Sequence, residues 1–277
     1  MAGGEQLAAL RKFEETFHKD IWEWIAQKVE GRGAGGGAGR SAHGLDILDL
    51  SEEPSIFSLL LAEKYKARKV VCGLRRLQPG ADHHYHDFPF LQMRTVDLKR
   101  EADYEDIRQL GTFDIVILKE VTHEIEELSV FLEALKACLT AETLVFALAR
   151  PKNPPLPIPD EALVTWRKMA PAKEALIRDI KQANFKLTCY SASVPVRIAK
   201  EEWAEILGSG SVAAVRQTAK CTAKVVRDFI ATRPKTLNFE EKILVFLFRL
   251  KREGETDDDI ADDDEPTAAS QQAAFAS

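Results

Sequence analysis

His123 is the side chain in this sequence best suited to moving a proton. It follows the apolar run Phe113-Asp114-Ile115-Val116-Ile117-Leu118-Lys119-Glu120-Val121-Thr122, which reads as a strand. Ligands of α/β sheets sit in the crevice beyond the carboxyl ends of the strands. An imidazole placed there takes a proton from a nucleophilic oxygen or nitrogen. It would equally serve as a cap for the helix that follows. Glu120 and Glu124 flank it, either to orient the ring or to sit in solvent, the usual place of a carboxylate. Trp166 and Trp203 are candidates for lining an apolar substrate pocket, with core packing as the alternative.

Other chemistry is less well supported. The stretch Asp82-His83-His84-Tyr85-His86-Asp87 offers imidazoles and carboxylates, which zinc would accept. Adjacent histidines in a short loop rarely point at one ion, and no further ligand spacing follows. A loop over the crevice is expected, and no metal. Arg216, Lys220, Lys224 and Arg227 recur at helical spacing, a pattern that suits the chain's own acidic tail, an acidic partner or plain solvent. The sequence contains no Ser-His-Asp arrangement, P-loop or zinc ribbon.

The elements that position these residues centre on 45–61, LDILDLSEEPSIFSLLL. Leu45 to Leu50 has the apolar run of a strand covered on both faces. Ile56 to Tyr65 reads as a helix. Glu52, Glu53 and Ser55 stand near its free N–H groups, and Pro54 is tolerated in a first turn. Such a strand-turn-helix is where an α/β fold builds its nucleotide site, yet the turn Ser51-Glu52-Glu53-Pro54-Ser55 has no glycine.

Around it the pattern is a helix over 5–29, with Leu7, Leu10, Phe13, Phe17, Ile21, Trp24, Ile25 and Val29 on one stripe. Trp22 falls off that stripe. A glycine-rich segment over 31–44 precedes a strand and lacks the spacing of a phosphate loop, so it reads as a flexible connector. Strands and helices then alternate to Pro151, the pattern of a doubly wound, mostly parallel sheet. A helix over about 162–184, an extended segment from Phe185, helical stretches over 200–232 and a last strand through KILVFLFRLKR complete it. The resulting division is 1–30 helical extension, 31–44 linker, 45–252 main domain with cap elements in 151–235, and 253–277 an acidic, disordered tail.

The chain has 277 residues, enough for one large α/β domain. Its net charge is −6, and seven carboxylates fall in the run DDDIADDDE alone. The near-neutral body argues against a nucleic-acid protein. Cys72, Cys138, Cys189 and Cys221 are widely spaced without a CxxC, which suggests thiols in a reducing compartment. The charged N-terminus is unlike a signal peptide, and no stretch approaches a membrane span. A soluble, cytoplasmic protein is expected.

The order of these pieces resembles the class I S-adenosylmethionine-dependent methyltransferases over about residues 45–252. It is similar to a subgroup whose fourth strand ends in a His-containing turn, here at His123. In that subgroup the fifth strand ends in Arg-Pro, here Arg150-Pro151. A proline-valine and Glu-Trp element follows, here Val194-Pro195-Val196-Arg197 with Glu202-Trp203. The resemblance implies a Rossmann-like sheet with helices on both faces and S-adenosylmethionine held at Asp49, Ser51, Glu53, Asp97, Leu98 and Lys119. Asp49 stands at the family's first acidic position, and Asp97 at the one that meets the adenine amine. The family's turn glycines are replaced by Ser51, Glu53 and Ser55, where side chains crowd the methionine part. The ribose-binding acid after the second strand is missing from Val71-Cys72-Gly73-Leu74-Arg75, and Arg75 and Arg76 would suit a phosphate better. Two functions follow. One is methyl transfer to a small-molecule acceptor. The other is an inactive methyltransferase-like scaffold with a protein partner.

Overall fold

The computed structural model describes residues 12–31, 43–51, 55–74, 90–98, 104–208 and 212–255. Glu52, Glu53, Arg75, Arg76, the 82–87 histidine stretch, most of the glycine-rich linker and the acidic run lie outside them.

Seven strands form one sheet in the order β3-β2-β1-β4-β5-β7-β6. They are β1 (Asp46–Asp49), β2 (Lys69–Leu74), β3 (Leu91–Thr95), β4 (Phe113–Lys119), β5 (Leu139–Ala149), β6 (Phe185–Ala199) and β7 (Thr236–Leu250). β1 to β5 run parallel, and β7 lies antiparallel to both β5 and β6. A chain that must cross over between parallel strands needs a covering helix at each step, so both faces become buried. β1 shows it, with Ile47, Leu48 and Asp49 all buried.

One face is covered by α2 (Lys19–Gly31) and α3 (Ile56–Tyr65). Ile21, Ile25 and Val29 pack there with Ile47, Phe57, Ile115 and Phe146. The N-terminal helical region is therefore built into the core. It is broken at His18 into a segment over residues 12–17, α1, and α2. Trp22 lies half-buried against the same cluster, with the Lys64 ammonium 5.8 Å from its ring centre. The other face is covered by α4 (Glu105–Arg108), α5 (Leu128–Leu135) and α7 (Lys173–Gln182). Phe131, Leu135 and Ile180 meet Leu48, Val116 and Phe248 there. The expected helix over 162–184 is two helices, α6 (Asp160–Met169) and α7. Pro171 stands between them, and a proline inside a helix removes a hydrogen bond and clashes with the preceding turn.

The β6–β7 hairpin is longer than the sheet it joins. β5 pairs only with 244–248 of β7, while β6 pairs along all of it. Ala149 lies opposite Leu244, so residues 236–243 and 192–199 run past the carboxyl edge of the parallel strands. There they meet α6, α8 (Lys200–Gly208), α9 (Ala213–Arg216) and α10 (Ala223–Ala231) in a third core cluster holding Trp166, Val196, Trp203, Val226 and Leu237. The stretch expected as one basic helix is α9 and α10, separated by 217–222. The cluster forms a cap over the carboxyl edge of the parallel strands, and Phe13 of α1 joins it, 5.7 Å from the Trp203 ring.

Gly73 of β2 shows how tightly that edge is packed. A Cβ there would fall 2.6 Å from the Leu50 side chain and 3.2 Å from Val96. Gly73→Ala is expected to lower stability by about 1–3 kcal/mol through overpacking. Combined with Leu50→Ala, the loss in urea titrations should be smaller than the sum of the two single losses, because the removed side chain is the one the new Cβ meets. If Gly73→Ala alone unfolds at the wild-type urea midpoint, the packing account is wrong.

Candidate functional site at the carboxyl edge of the sheet

β1 ends in an aspartate that shapes the turn beyond it. Asp49 is fully buried. Its Oδ1 accepts from the Ser51 N–H at 3.0 Å and its Oδ2 from the Ser55 N–H at 2.7 Å. Ser55 then caps α3, its Oγ accepting from the Ser58 N–H at 3.2 Å. Ser51 is buried, and its Oγ accepts from the Lys119 N–H at 3.2 Å. The turn after β1 is thus tied to the end of β4 by a side chain where glycine would leave open space.

A chain of buried charges runs from there across the edge. Lys119 donates to Glu14 of α1. Next to it, Glu120 has a left-handed backbone, φ +53°, and its carboxylate binds Arg150 at the end of β5. Arg150 also donates through Nε to Glu241 of β7 at 3.0 Å. The other Glu241 oxygen meets His18 Nε2 at 2.9 Å. Glu14, His18, Arg150 and Glu241 are all buried. Burial opposes the charge on Arg150, but Glu120 and Glu241 outweigh it and hold its pKa above the ordinary arginine range. Burial likewise pushes the Glu241 carboxyl up, and Arg150 and His18 more than reverse this, leaving it at about 2. Four separate segments (α1, the ends of β4 and β5, and β7) are joined by these contacts.

His123 lies in the turn after β4, with its imidazole 2% exposed. Its ring centre is 4.9 Å from that of Trp166. Its Nε2 lies 3.3 Å from Glu124 Oε1 and 3.3 Å from Gln217 Nε2. Gln217, just past α9, also donates to Glu124 Oε1 at 2.6 Å. So the cap reaches down to the candidate base through the Gln217 amide and the Trp166 ring. Trp166 and Trp203 are buried in the cap, their indole N–H groups donating to the carbonyls of Pro151 and Pro157 at 2.9 and 2.8 Å. Asp97 is half-buried just past β3, two strands from Asp49, about 10 Å away in the hydrogen-bonding direction. The Leu98 side chain is in the core, and its carbonyl accepts from Tyr104.

Asp97 offers an acceptor for an amine, and Lys119 a cation for a carboxylate, now bonded to Glu14. In the middle, Leu50 and Val96 close over the end of β2, where the ribose acid is absent from the sequence. Glu53 lies outside the described residues. Among those residues no group of three or more His, Cys, Asp or Glu side chains is placed to hold a metal. Nor is any helix long and apolar enough to cross a membrane.

No protein-family model matches the chain, and no curated protein does. Among solved structures it is similar to coclaurine N-methyltransferase bound to N-methylheliamine and SAH, with 12% identity, TM-score 0.49, and coverage of 82% of this chain and 72% of that one. It is similar to geranyl diphosphate C-methyltransferase from Streptomyces coelicolor in complex with Mg2+, geranyl diphosphate and S-adenosyl-L-homocysteine (9%, 0.45, 82% and 79%). The cyclase SpnF is another (12%, 0.49, 82% and 80%). The strand order, with only the seventh strand reversed, is the class I methyltransferase fold.

Proposed function

We propose that this chain is an S-adenosylmethionine-dependent methyltransferase acting on a small-molecule acceptor in the cytoplasm. The observation that carries the reading is the alignment of Asp49, Asp97, Lys119 and His123 along one sheet edge beneath a cap that touches His123 through Gln217. The cofactor, when bound, supplies a methyl group on a sulfonium. Asp97 would hold the adenine amine, and Lys119, now bonded to Glu14, would hold the cofactor's carboxylate. His123, held by Glu124 and Gln217, accepts the acceptor's proton as positioned transfer proceeds. Four free thiols support a reducing location.

The second reading is a fold that keeps its shape without the reaction. The ties of Lys119 to Ser51 and Glu14 favour it, because they occupy the space between β1 and β4.

Titration calorimetry with S-adenosylhomocysteine separates the two. The enzyme reading expects micromolar binding, weakened about 10- to 150-fold in Asp97→Ala, the value of one charged hydrogen bond. His123→Ala should leave that binding unchanged and lower turnover about 10²- to 10⁴-fold once an acceptor is found. The absence of both heat and a thermal shift at millimolar ligand would mean that the site is vestigial.

A further inference from the structure

The cap carries a surface that the proposed reaction does not use. Lys220, Lys224, Arg227, Arg233 and Lys235 are all exposed on or beside α10, with Asp228 the one carboxylate within 220–235. α10 buries Val226 and Ile230 against the cap core and turns its basic side outward. Lys220, Lys224, Arg227 and Lys235 make no ion pair among the described residues, and the Arg233 guanidinium lies 4.2 Å over the Phe229 ring. Within the same sequence, residues 257–265 carry seven carboxylates. The two charge sets are opposite in sign, five cations and one carboxylate against seven carboxylates.

Geometry decides whether they meet within one chain. Glu255 is fastened at the foot of the sheet by two bonds from Arg249, 2.8 and 2.5 Å, and by the Arg252 N–H at 2.9 Å. Arg252 in turn binds Glu142 near the start of β5. α10 sits at the opposite end, where Val226 and Ile230 share a core cluster with Leu237. The strand between, from Arg249 back to Leu237, spans about 40 Å at roughly 3.3 Å per residue. From Glu255, Asp257–Asp259 reach at most about 7–14 Å, and Glu265 about 36 Å only if fully extended. The acidic run is too short to lie along its own α10.

We propose that the basic surface around α10 binds the 257–265 acidic segment of a second copy of this chain. The pairing is a contact of exposed charges, so it is sensitive to salt. Several such contacts acting together steer the encounter of two copies.

Sedimentation velocity of the full chain tests it at about 50 mM and about 300 mM salt, where the Debye length falls from roughly 14 Å to roughly 6 Å. Association at low salt should weaken at least tenfold at high salt. Two full-length variants separate the halves of the contact. One carries Lys224→Glu and Arg227→Glu, and the other carries Asp257, Asp258, Asp259, Asp262, Asp263 and Asp264 all changed to Asn. Each alone should be monomeric, and an equimolar mixture should form a heterodimer, because one supplies the acidic run and the other the surface. A wild-type chain that is monomeric at low salt overturns the proposal. So does association that survives in the Asn variant. Tighter binding of the Asn variant to a duplex oligonucleotide than to the Lys224→Glu, Arg227→Glu chain would assign the surface to nucleic acid instead.

Discussion

Glu241→Gln is expected to lower the unfolding free energy by about 3–5 kcal/mol, the usual loss when one partner of a buried ion pair is removed. The reason is local. Arg150 is buried and shared between Glu120 and Glu241, and His18 depends on the second oxygen of Glu241. Neutralising that carboxylate leaves a buried guanidinium with half its counter-charge. For a domain stable by about 5–15 kcal/mol this is a large fraction. Urea midpoints with an unchanged slope would report it. The paired replacement, Arg150→Met with Glu241→Leu, should lose much less, since removing both charges also removes the desolvation penalty. If the double variant is as unstable as the single one, the ion network is not the cause.

The same carboxylate sets the acid limit of stability. The folded Glu241 carboxyl lies at about 2, below its ordinary value of 4.5. Between those two values the unfolded chain binds a proton that the folded chain does not, so stability rises with pH across that interval. The contribution is fully present above pH 4.5, and it is lost as pH falls towards 2. At 1.36 kcal/mol per unit it amounts to about 3 kcal/mol. Glu241→Gln should flatten the wild-type acid limb between pH 4.5 and 2 while lying below wild type at neutral pH.

Much of the sheet was legible because its signals are local. The apolar runs of β1, β4 and β5 are long enough to identify buried strands, and Gly111, with φ +84°, takes a left-handed turn after α4 that glycine adopts without strain. Breaks in the helices were less legible. Pro171 was a readable signal that a helix over 162–184 ignores. The break at His18 has no local cause, because that residue is drawn inward to Glu241, 223 positions away. The charge network was hidden for the same reason: its members come from four segments and look like ordinary surface residues. A partial signal did exist. Lys119-Glu120 and Arg150 end two buried strands, and Glu241 precedes the apolar run of β7, positions where an unpaired charge would be costly. The role of Gln217 beside His123 could not be read at all, since it depends on how the cap folds back over the sheet.

Asp49→Ala should be more damaging to binding than any change at the ligand itself. Asp49 is fully buried and both its oxygens accept backbone N–H groups, from Ser51 and Ser55. Bonds to a charged acceptor are worth about 1.5–3 kcal/mol each, and alanine would leave two donors unsatisfied. A loss of about 3–5 kcal/mol is expected in urea titrations. The consequence extends to the site, because Ser51 carries the tie to Lys119 and Ser55 caps α3. Once the turn is released, both the Lys119 end and the start of α3 lose their fixed positions. Asp49→Asn retains the shape and one good acceptor, so it should lose about half as much stability. Amide hydrogen exchange separates turn shaping from direct ligand contact. Turn shaping predicts that Asp49→Ala raises exchange at Ser51, Ser55 and Lys119 in the absence of any ligand. Unchanged exchange at those three amides, with binding abolished, would instead make Asp49 a contact residue for the ligand and remove it from the architecture of the turn.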